Sequence, residues 1–206
     1  MDQQPEARPL PLSKRLEQII DETGPDRLTF TELARQLHGR AWGGLLLVFA
    51  AINVIPLPPG ASIFFAIPLI IVSAQMAFGR KSPWFPARID RRGVTKEELG
   101  RLVAKMDWLE VRVERLFKPR LAPLTGPAAA RAIGVACFLL ALLTTLPVVH
   151  VAPAAVIVMF GLALIYRDGA LVIAAAAAAL LGAVVGAFLI ASGAIVLGYA
   201  ARLLGL

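Results

Sequence analysis

The sequence predicts an all-α integral membrane protein built from two Pro-broken helical hairpins, C-terminal Ala/Gly-rich transmembrane helices and cytoplasmic amphipathic helices. Hydrophobic residues make up 58% of the chain and charged residues 17%, whereas soluble domains average about a half and a quarter. From residue 132 to residue 206 the only charged side chains are Arg167, Asp168 and Arg202, which is too few for a soluble fold. Residues 79–131, in contrast, hold thirteen Lys and Arg against six Asp and Glu. This segregation is typical of a polytopic membrane protein.

Residues 1–40 form a polar segment that predicts two short cytoplasmic helices. Apolar residues recur at helical spacing over residues 12–20, and a Gly-Pro pair follows them. Thr29 followed by Glu32 is a capping box, which predicts the start of the second helix. No signal peptide precedes the first apolar segment, so we expect that segment to remain as a membrane span.

Residues 41–79 predict the first hairpin, which lies in the membrane either as two short spans or as a re-entrant loop. A proline-rich break interrupts an apolar run that would otherwise read as one helix. Prolines lack an N–H donor and restrict the residue before them, so we expect separate helices over about residues 42–55 and 62–78. The break comprises Pro56, Leu57, Pro58, Pro59 and Gly60.

Residues 80–131 predict a basic cytoplasmic loop that contains helices of its own. Trp84 suits the headgroup region where the chain leaves the membrane. Thr95 followed by Glu98 is a second capping box, and it precedes a pattern typical of an amphipathic helix on the membrane surface. We expect this loop to contact anionic lipid headgroups, and we expect no nucleic-acid partner because a basic loop between apolar tracts is explained by the membrane.

Residues 132–167 repeat the organisation of the first hairpin, with an apolar helix, a break over residues 147–153 and a second apolar helix. The two hairpins are therefore predicted to form an internal repeat of architecture. Arg167 and Asp168 follow the second helix, and adjacent residues on a helix point apart. We expect them to stop the span at the interface and to cap the next helix, with a salt bridge to another segment as the alternative.

Residues 168–206 are almost wholly Ala, Leu, Val, Ile and Gly, and they exceed the ~20 residues that one membrane crossing needs. One very long helix or a pair of short helices would fit, and we expect a pair bent near Ser192-Gly193. Small residues at four-residue spacing predict a close helix–helix contact, either in a homodimer or within one chain. This small-residue face consists of Gly182, Ala183, Gly186, Ala187 and Ala191.

Polar groups inside the apolar segments are the best candidates for a binding site, because burying them in lipid is costly. Asn53 and Ser62 flank the first break, where they either satisfy its freed backbone groups or bind a substrate or ion. His150 is either a solvated histidine at the interface or a pH sensor. The rest of the predicted set is Pro56, Pro58, Pro59, Gly60, Gln75 and Thr144.

The sequence shows no constellation of catalytic or metal-binding residues. His38 and His150 fall on opposite sides of the predicted membrane, so we expect no two-histidine metal site within one chain. A phosphate-binding Gly-rich loop, zinc-type Cys/His spacing and a nucleophile elbow are all absent from the sequence. We therefore expect a protein that is not an enzyme and that uses no cofactor.

The sequence resembles the ExoD family of bacterial exopolysaccharide-synthesis membrane proteins over about residues 12–195. The resemblance rests on residues 53–62 with the helix that follows them to Pro83-Trp84, on residues 96–121, and on Tyr166-Arg167-Asp168-Gly169. It implies a role in exopolysaccharide synthesis or export, with growth under alkaline conditions in some members and no established biochemical activity. The second break is more apolar than is usual for the family.

Three functions are compatible with this sequence. The resemblance implies an accessory inner-membrane component of exopolysaccharide synthesis. Broken helices in repeated halves are typical of a transporter or channel, here for an ion or a lipid-linked intermediate. The cytoplasmic helices would also suit a scaffold for the polysaccharide synthesis machinery. The positive-inside rule places the N-terminus and the basic loop in the cytoplasm and predicts a multi-pass protein of the bacterial inner membrane.

Overall fold

A computed structural model describes residues 18, 29–37, 40–55, 61–90, 95, 97, 101, 121–146 and 150–203, and within these ranges it contains helices and no strand. The prediction of an all-helical fold is confirmed. In chain order the helices are α1 (Phe30–Gln36), α2 (Arg40–Val54), α3 (Ala61–Ala77), α4 (Ala87–Asp90), α5 (Pro127–Leu143), α6 (Val151–Tyr166) and α7 (Gly169–Leu203), and a 3₁₀ turn at Ala122–Thr125 precedes α5.

Local sequence signals explain where several helices begin and end. Thr29 caps α1 as the capping box predicts, because its Oγ1 accepts a hydrogen bond of 3.2 Å from the Glu32 N–H. The chain leaves α3 through Gly79, whose φ of +72° is left-handed and is accessible to glycine without steric cost. α5 opens on Pro127, where the missing N–H is harmless because the first turn of a helix has no partner for it.

Two boundaries differ from the predicted ones. α5 begins at Pro127 and not at residue 132, since the alanines after the proline are strong helix formers and extend the helix into the predicted loop. α6 begins at Val151, so that Pro153 lies in its first turn, where proline is tolerated. Outside the described residues lie the first break, residues 147–149, most of the predicted helix over residues 12–20 and most of the predicted amphipathic helix of the basic loop.

The two hairpins pack so that each helix contacts the opposite helix of the other hairpin. α2 packs mainly on α6, and α3 packs mainly on α5. Gly43, near the start of α2, meets the second half of α6, and a Cβ there would lie 2.6 Å from the Gly161 carbonyl oxygen. Gly134 in α5 meets the end of α3, where a Cβ would lie 2.8 Å from the Met76 carbonyl carbon. Both pairs are therefore antiparallel, and both hairpins point in the same direction.

This packing sorts the helix ends into two groups. We call the end where α2 and α5 finish and α3 and α6 start the polar tip, and we call the opposite end the basic end. Close-packed apolar side chains fill the core between the two ends. Its fully or almost fully buried members include Leu46, Leu69, Cys137, Ile157 and Phe160.

The C-terminal tract forms one continuous helix of 35 residues, so the predicted bend near Ser192-Gly193 is wrong. The tract contains no proline and is rich in alanine, and a single glycine costs a helix only about 1 kcal/mol. α7 enters the core at its start, through Val172 and Ala175. Within the described part of the chain, Gly169–Phe188 alone is long and apolar enough to cross a membrane, with 20 residues, a mean hydropathy of 2.5 and 11% of the window buried.

Asp168 caps the start of α7. Its side chain is buried, and its Oδ1 accepts hydrogen bonds from the N–H groups of Ala170 at 3.0 Å and Leu171 at 3.4 Å. These N–H groups lie in the first turn, where the helix itself supplies no acceptor.

We expect Asp168→Ala to lower the free energy of unfolding by about 1–2 kcal/mol, because the first turn of α7 loses its acceptor. Asp168→Asn should retain most of the stability, since Asn caps helices about as well as Asp. Thermal unfolding of the purified protein in detergent, followed by circular dichroism, measures both changes. Equal losses in the two variants would show that the carboxylate charge matters and that the cap does not.

Candidate functional site

Four of the polar residues predicted as candidates lie at the polar tip. Asn53 lies in the last turn of α2 and Thr144 follows the last residue of α5, and both are fully buried. Ser62 lies in the first turn of α3 and His150 precedes α6, and their relative exposures are 1% and 6%. We call these four residues the tip cluster, because the parallel arrangement of the hairpins brings all four helix ends to one end of the bundle.

Local contacts satisfy only part of the hydrogen-bonding capacity of the tip cluster. The Asn53 Nδ2 donates to the Phe49 carbonyl at 3.0 Å, and the Thr144 Oγ1 donates to the Ala141 carbonyl at 2.7 Å. Among the residues that the structure describes, the Asn53 Oδ1 and the Ser62 Oγ are buried without a hydrogen-bond partner. Each buried polar atom without a partner lowers the stability of the fold by about 1–3 kcal/mol. A polar ligand that bonded to these two atoms would remove this cost.

The contrast with Ser73 shows why Ser62 is left without a partner. The Ser73 Oγ donates to the Leu69 carbonyl at 2.7 Å and approaches the Ile70 carbonyl at 3.1 Å. A serine in the middle of a helix can use the preceding turn in this way. Ser62 is the second residue of α3, so no preceding turn of that helix supplies a carbonyl.

Gln75 does not belong to the tip cluster, although the sequence grouped it with the other polar candidates. It lies in the last turn of α3, at the basic end. Its Oε1 accepts a hydrogen bond of 2.7 Å from the Trp84 N–H, and its Nε2 donates to the Trp84 carbonyl at 3.4 Å. Gln75 therefore fixes the chain that follows α3. Pro56, Pro58, Pro59 and Gly60 lie outside the described residues.

The two residues between α6 and α7 form the corner that joins these helices. Arg167 has a left-handed backbone with φ of 53° and ends α6, and Asp168 starts α7 as its cap. Neither side chain forms a salt bridge within the described ranges. The two residues therefore have different roles. Arg167 lies at the basic end, whereas Asp168 caps α7.

A cavity of about 810 Å³ lies at the basic end, and its residues are not among those predicted as a binding site from the sequence. Its apolar wall includes Trp42, Met76 and Leu164, and the described lining residues include no carboxylate. Five cationic side chains also line it, namely Arg35, Arg80, Lys81, Arg131 and Arg167. We call this feature the basic cavity. The arginines that flank each hairpin were the available signal, but only the packing of the two hairpins brings them together.

The small-residue face of α7 contacts no other described part of the chain. A Cβ added at Gly182 or at Gly186 would meet no heavy atom within 4 Å. Ala183 and Ala187 are exposed beside them. The described residues therefore do not provide the internal packing that the sequence left as an alternative to a homodimer.

Comparison with known proteins agrees with the family resemblance of the sequence. The family described as "Exopolysaccharide synthesis, ExoD" matches residues 12–188 of this chain. The chain is also 29% identical over 171 residues to Protein ExoD of Rhizobium meliloti (strain 1021), across 78% of this chain and 70% of that protein. No solved structure matches the chain. Because the family match includes both hairpins and the start of α7, the chain belongs to the ExoD family of exopolysaccharide synthesis.

Proposed function

We propose that this protein is a multi-pass component of the inner membrane that binds and passes a polar intermediate of exopolysaccharide synthesis at its tip cluster, without covalent chemistry. The observation that carries the proposal is the pair of buried oxygen atoms without partners, Asn53 Oδ1 and Ser62 Oγ. An uncharged amide and hydroxyl suit hydrogen bonds to the hydroxyl groups of a saccharide. The family supports the pathway, and a lipid-linked saccharide is the form in which such a group would reach membrane depth.

Exposed apolar side chains support insertion of both hairpins into the membrane. Phe64 is 75% exposed, Phe78 is 88% exposed and Leu139 is 57% exposed, and they lie on or beside the hairpin helices. Soluble monomers rarely expose contiguous apolar patches larger than a few hundred Å². The basic end would face the cytoplasm under the positive-inside rule, with the N-terminus on the same side.

The lengths of the hairpin helices suggest the depth of the tip cluster. α2, α3, α5 and α6 contain 15 to 17 residues. At 1.5 Å per residue they are about 22–26 Å long, which is less than the ~30 Å of the hydrocarbon core. A hairpin that starts at the cytoplasmic surface would therefore place its tip inside the membrane. Polar atoms without partners are most costly there, which strengthens the case for a ligand.

The packing also supports an internal repeat in the hairpins. The first helix of each hairpin contains a similar four-residue segment near its start. This segment is Arg-Ala-Trp-Gly at residues 40–43 and Arg-Ala-Ile-Gly at residues 131–134, and in both the glycine makes the close contact with the other hairpin. Since both hairpins point in the same direction, we propose a parallel repeat whose axis runs along the membrane normal, as in one class of transporters.

The ends of the hairpins match in the same way. α3 is followed by a left-handed residue at Gly79, and α6 by one at Arg167. In both cases the N–H of the next residue donates back to a carbonyl in the last turn, at 3.2 Å and 3.0 Å. Gly79 is thus the structural counterpart of Arg167.

The proposal is tested by Asn53→Ala and Ser62→Ala, singly and combined, with Ser73→Ala as the matched control. We expect the double variant to lower secreted exopolysaccharide by about tenfold, the loss expected from two neutral hydrogen bonds to a ligand. Its amount in the membrane should stay close to normal, because neither deleted oxygen has a hydrogen-bond partner within the described chain and the substitutions break only one described bond, from the Asn53 Nδ2 to the Phe49 carbonyl of the same helix. Ser73→Ala should retain normal output, since its hydroxyl bonds only its own helix.

Secreted polysaccharide per cell and protein per membrane fraction are the two measurements, and flux of a fluorescent lipid-linked saccharide across proteoliposomes is the third. Normal exopolysaccharide output and normal saccharide flux in the double variant would show that the tip cluster has only a structural role, and they would refute the proposal. Equal losses in the double variant and in Ser73→Ala would also refute it, because the effect would then follow from burial alone.

We also propose that the protein is a homodimer in the membrane, joined through the small-residue face of α7. The support is that this face has no partner within the described chain, while small residues let helices approach closely in lipid.

A further inference from the structure

The charges of the basic cavity are largely uncompensated. Arg35 forms a salt bridge of 2.9 Å with Glu32. The other four cations, Arg80, Lys81, Arg131 and Arg167, form no ion pair with any described carboxylate. Positive charges that converge on one cavity repel one another, and an anion between them removes that repulsion.

The backbone positions one of these cations. A Cβ on Gly79 would lie 2.8 Å from the Cζ and 2.9 Å from the Nη2 of Arg131, so the guanidinium occupies the space that any other residue would fill. The same glycine has the left-handed φ of +72° that ends α3. Arg131 is therefore held against a backbone turn and not by an acidic side chain, which leaves its charge available to a ligand.

The remaining wall of the cavity is apolar. Trp42, Met76 and Leu164 line it and are themselves at most 5% exposed. The volume of 810 Å³ lies in the range of ligand-binding cavities, about 300–1,000 Å³. A cationic rim beside an apolar wall matches a ligand with a phosphate group and an apolar portion, and arginine binds phosphate oxygens through paired N–H donors.

We propose that the basic cavity binds the phosphate group of an amphiphilic ligand. The shared chemistry is an anionic phosphate group, which either a membrane phospholipid headgroup or a soluble phosphate compound could supply. This site lies at the opposite end of the hairpins from the tip cluster and shares no residue with it. The two proposals are therefore independent, and refuting one does not refute the other.

The test uses the full-length protein in nanodiscs. In the first arm the nanodiscs contain phosphatidylcholine with or without phosphatidic acid. In the second arm inorganic pyrophosphate is added to nanodiscs of phosphatidylcholine alone. Native mass spectrometry counts retained lipid, and thermal unfolding reports stabilisation by either probe. Arg131→Gln and Arg167→Gln remove single charges from the cavity. Arg101→Gln is the matched control, because Arg101 is exposed and pairs with Glu97 outside the cavity. Gly79→Ala keeps every charge but displaces the Arg131 guanidinium.

We expect phosphatidic acid to bind the wild type, and Arg131→Gln and Arg167→Gln each to weaken it about fivefold, the effect of one basic residue near an anionic surface. Gly79→Ala should weaken binding similarly, and Arg101→Gln should leave it unchanged. Stabilisation by pyrophosphate with the same sensitivity to the variants would support the site and assign a soluble source. Binding that Arg101→Gln weakens as much as Arg131→Gln, or no response to either probe, would overturn the proposal.

Discussion

Gly43→Val and Gly134→Val should each lower the free energy of unfolding by about 3 kcal/mol or more and prevent most of the protein from accumulating. Overpacking a core typically costs about 1–3 kcal/mol, and the cost is higher when backbone must move. Here the first added carbon would already lie within 3.0 Å of backbone atoms of the facing helix. Because whole proteins are stable by only about 5–15 kcal/mol, such a loss is severe.

Gly44→Val is the matched control for this prediction. Gly44 is adjacent to Gly43 on α2, and a Cβ there would meet no heavy atom within 4 Å. The same side chain in the same helix should therefore have little effect. The folded fraction in detergent, measured by size-exclusion chromatography of a fluorescent fusion, compares the variants. Equal accumulation of Gly43→Val and Gly44→Val would contradict the close crossing of α2 and α6.

Gly186→Ile should convert the proposed homodimer into a folded monomer. A bulky β-branched side chain keeps the two helix backbones apart and removes the dispersion contacts that drive association in lipid. The monomer should remain folded, because a Cβ at Gly186 meets nothing else in the described chain. Native mass spectrometry from detergent micelles measures the mass of each variant directly.

Leu181→Ile is the control for the dimer prediction, since Leu181 is exposed on the side of α7 opposite to the small-residue face. It should leave the dimer intact. A dimer that survives Gly186→Ile would remove this face from the interface. Unfolding of Gly186→Ile would instead contradict the exposed position of this face.

The sequence was sufficient to predict the four helices of the hairpins and to single out the polar candidates, because both steps depend on local patterns. Asn53 and Thr144 stand out as polar residues in apolar runs, and the capping box of α1 is read directly from Thr29 and Glu32. Gln75 has the same local signature as Asn53, but it lies at the end of α3 opposite to the tip, where it bonds to Trp84. A polar residue in an apolar run therefore does not by itself indicate membership of the tip cluster.

The basic cavity could not be predicted in the same way, because its residues are distant in sequence. Arg80, Arg131 and Arg167 meet only when α3, α5 and α6 pack with their ends aligned. That alignment depends on glycine contacts at Gly43 and Gly134, and a single sequence does not show which helix each glycine faces. The incorrect bend in α7 has a different cause. The prediction relied on the length of the tract, which exceeds one membrane crossing, although the tract contains no proline that would break the helix.

α7 packs on the bundle through its first turns, and this has a mechanical consequence. It contains 35 residues, so it is about 52 Å long, and the buried members of its described side chains lie within its first two turns. Such a helix acts as a lever whose pivot is the Arg167–Asp168 corner. A rotation of one degree at the pivot displaces the far end by about 1 Å, given that length. Because Arg167 lines the basic cavity, a ligand bound there would lie directly beside this pivot.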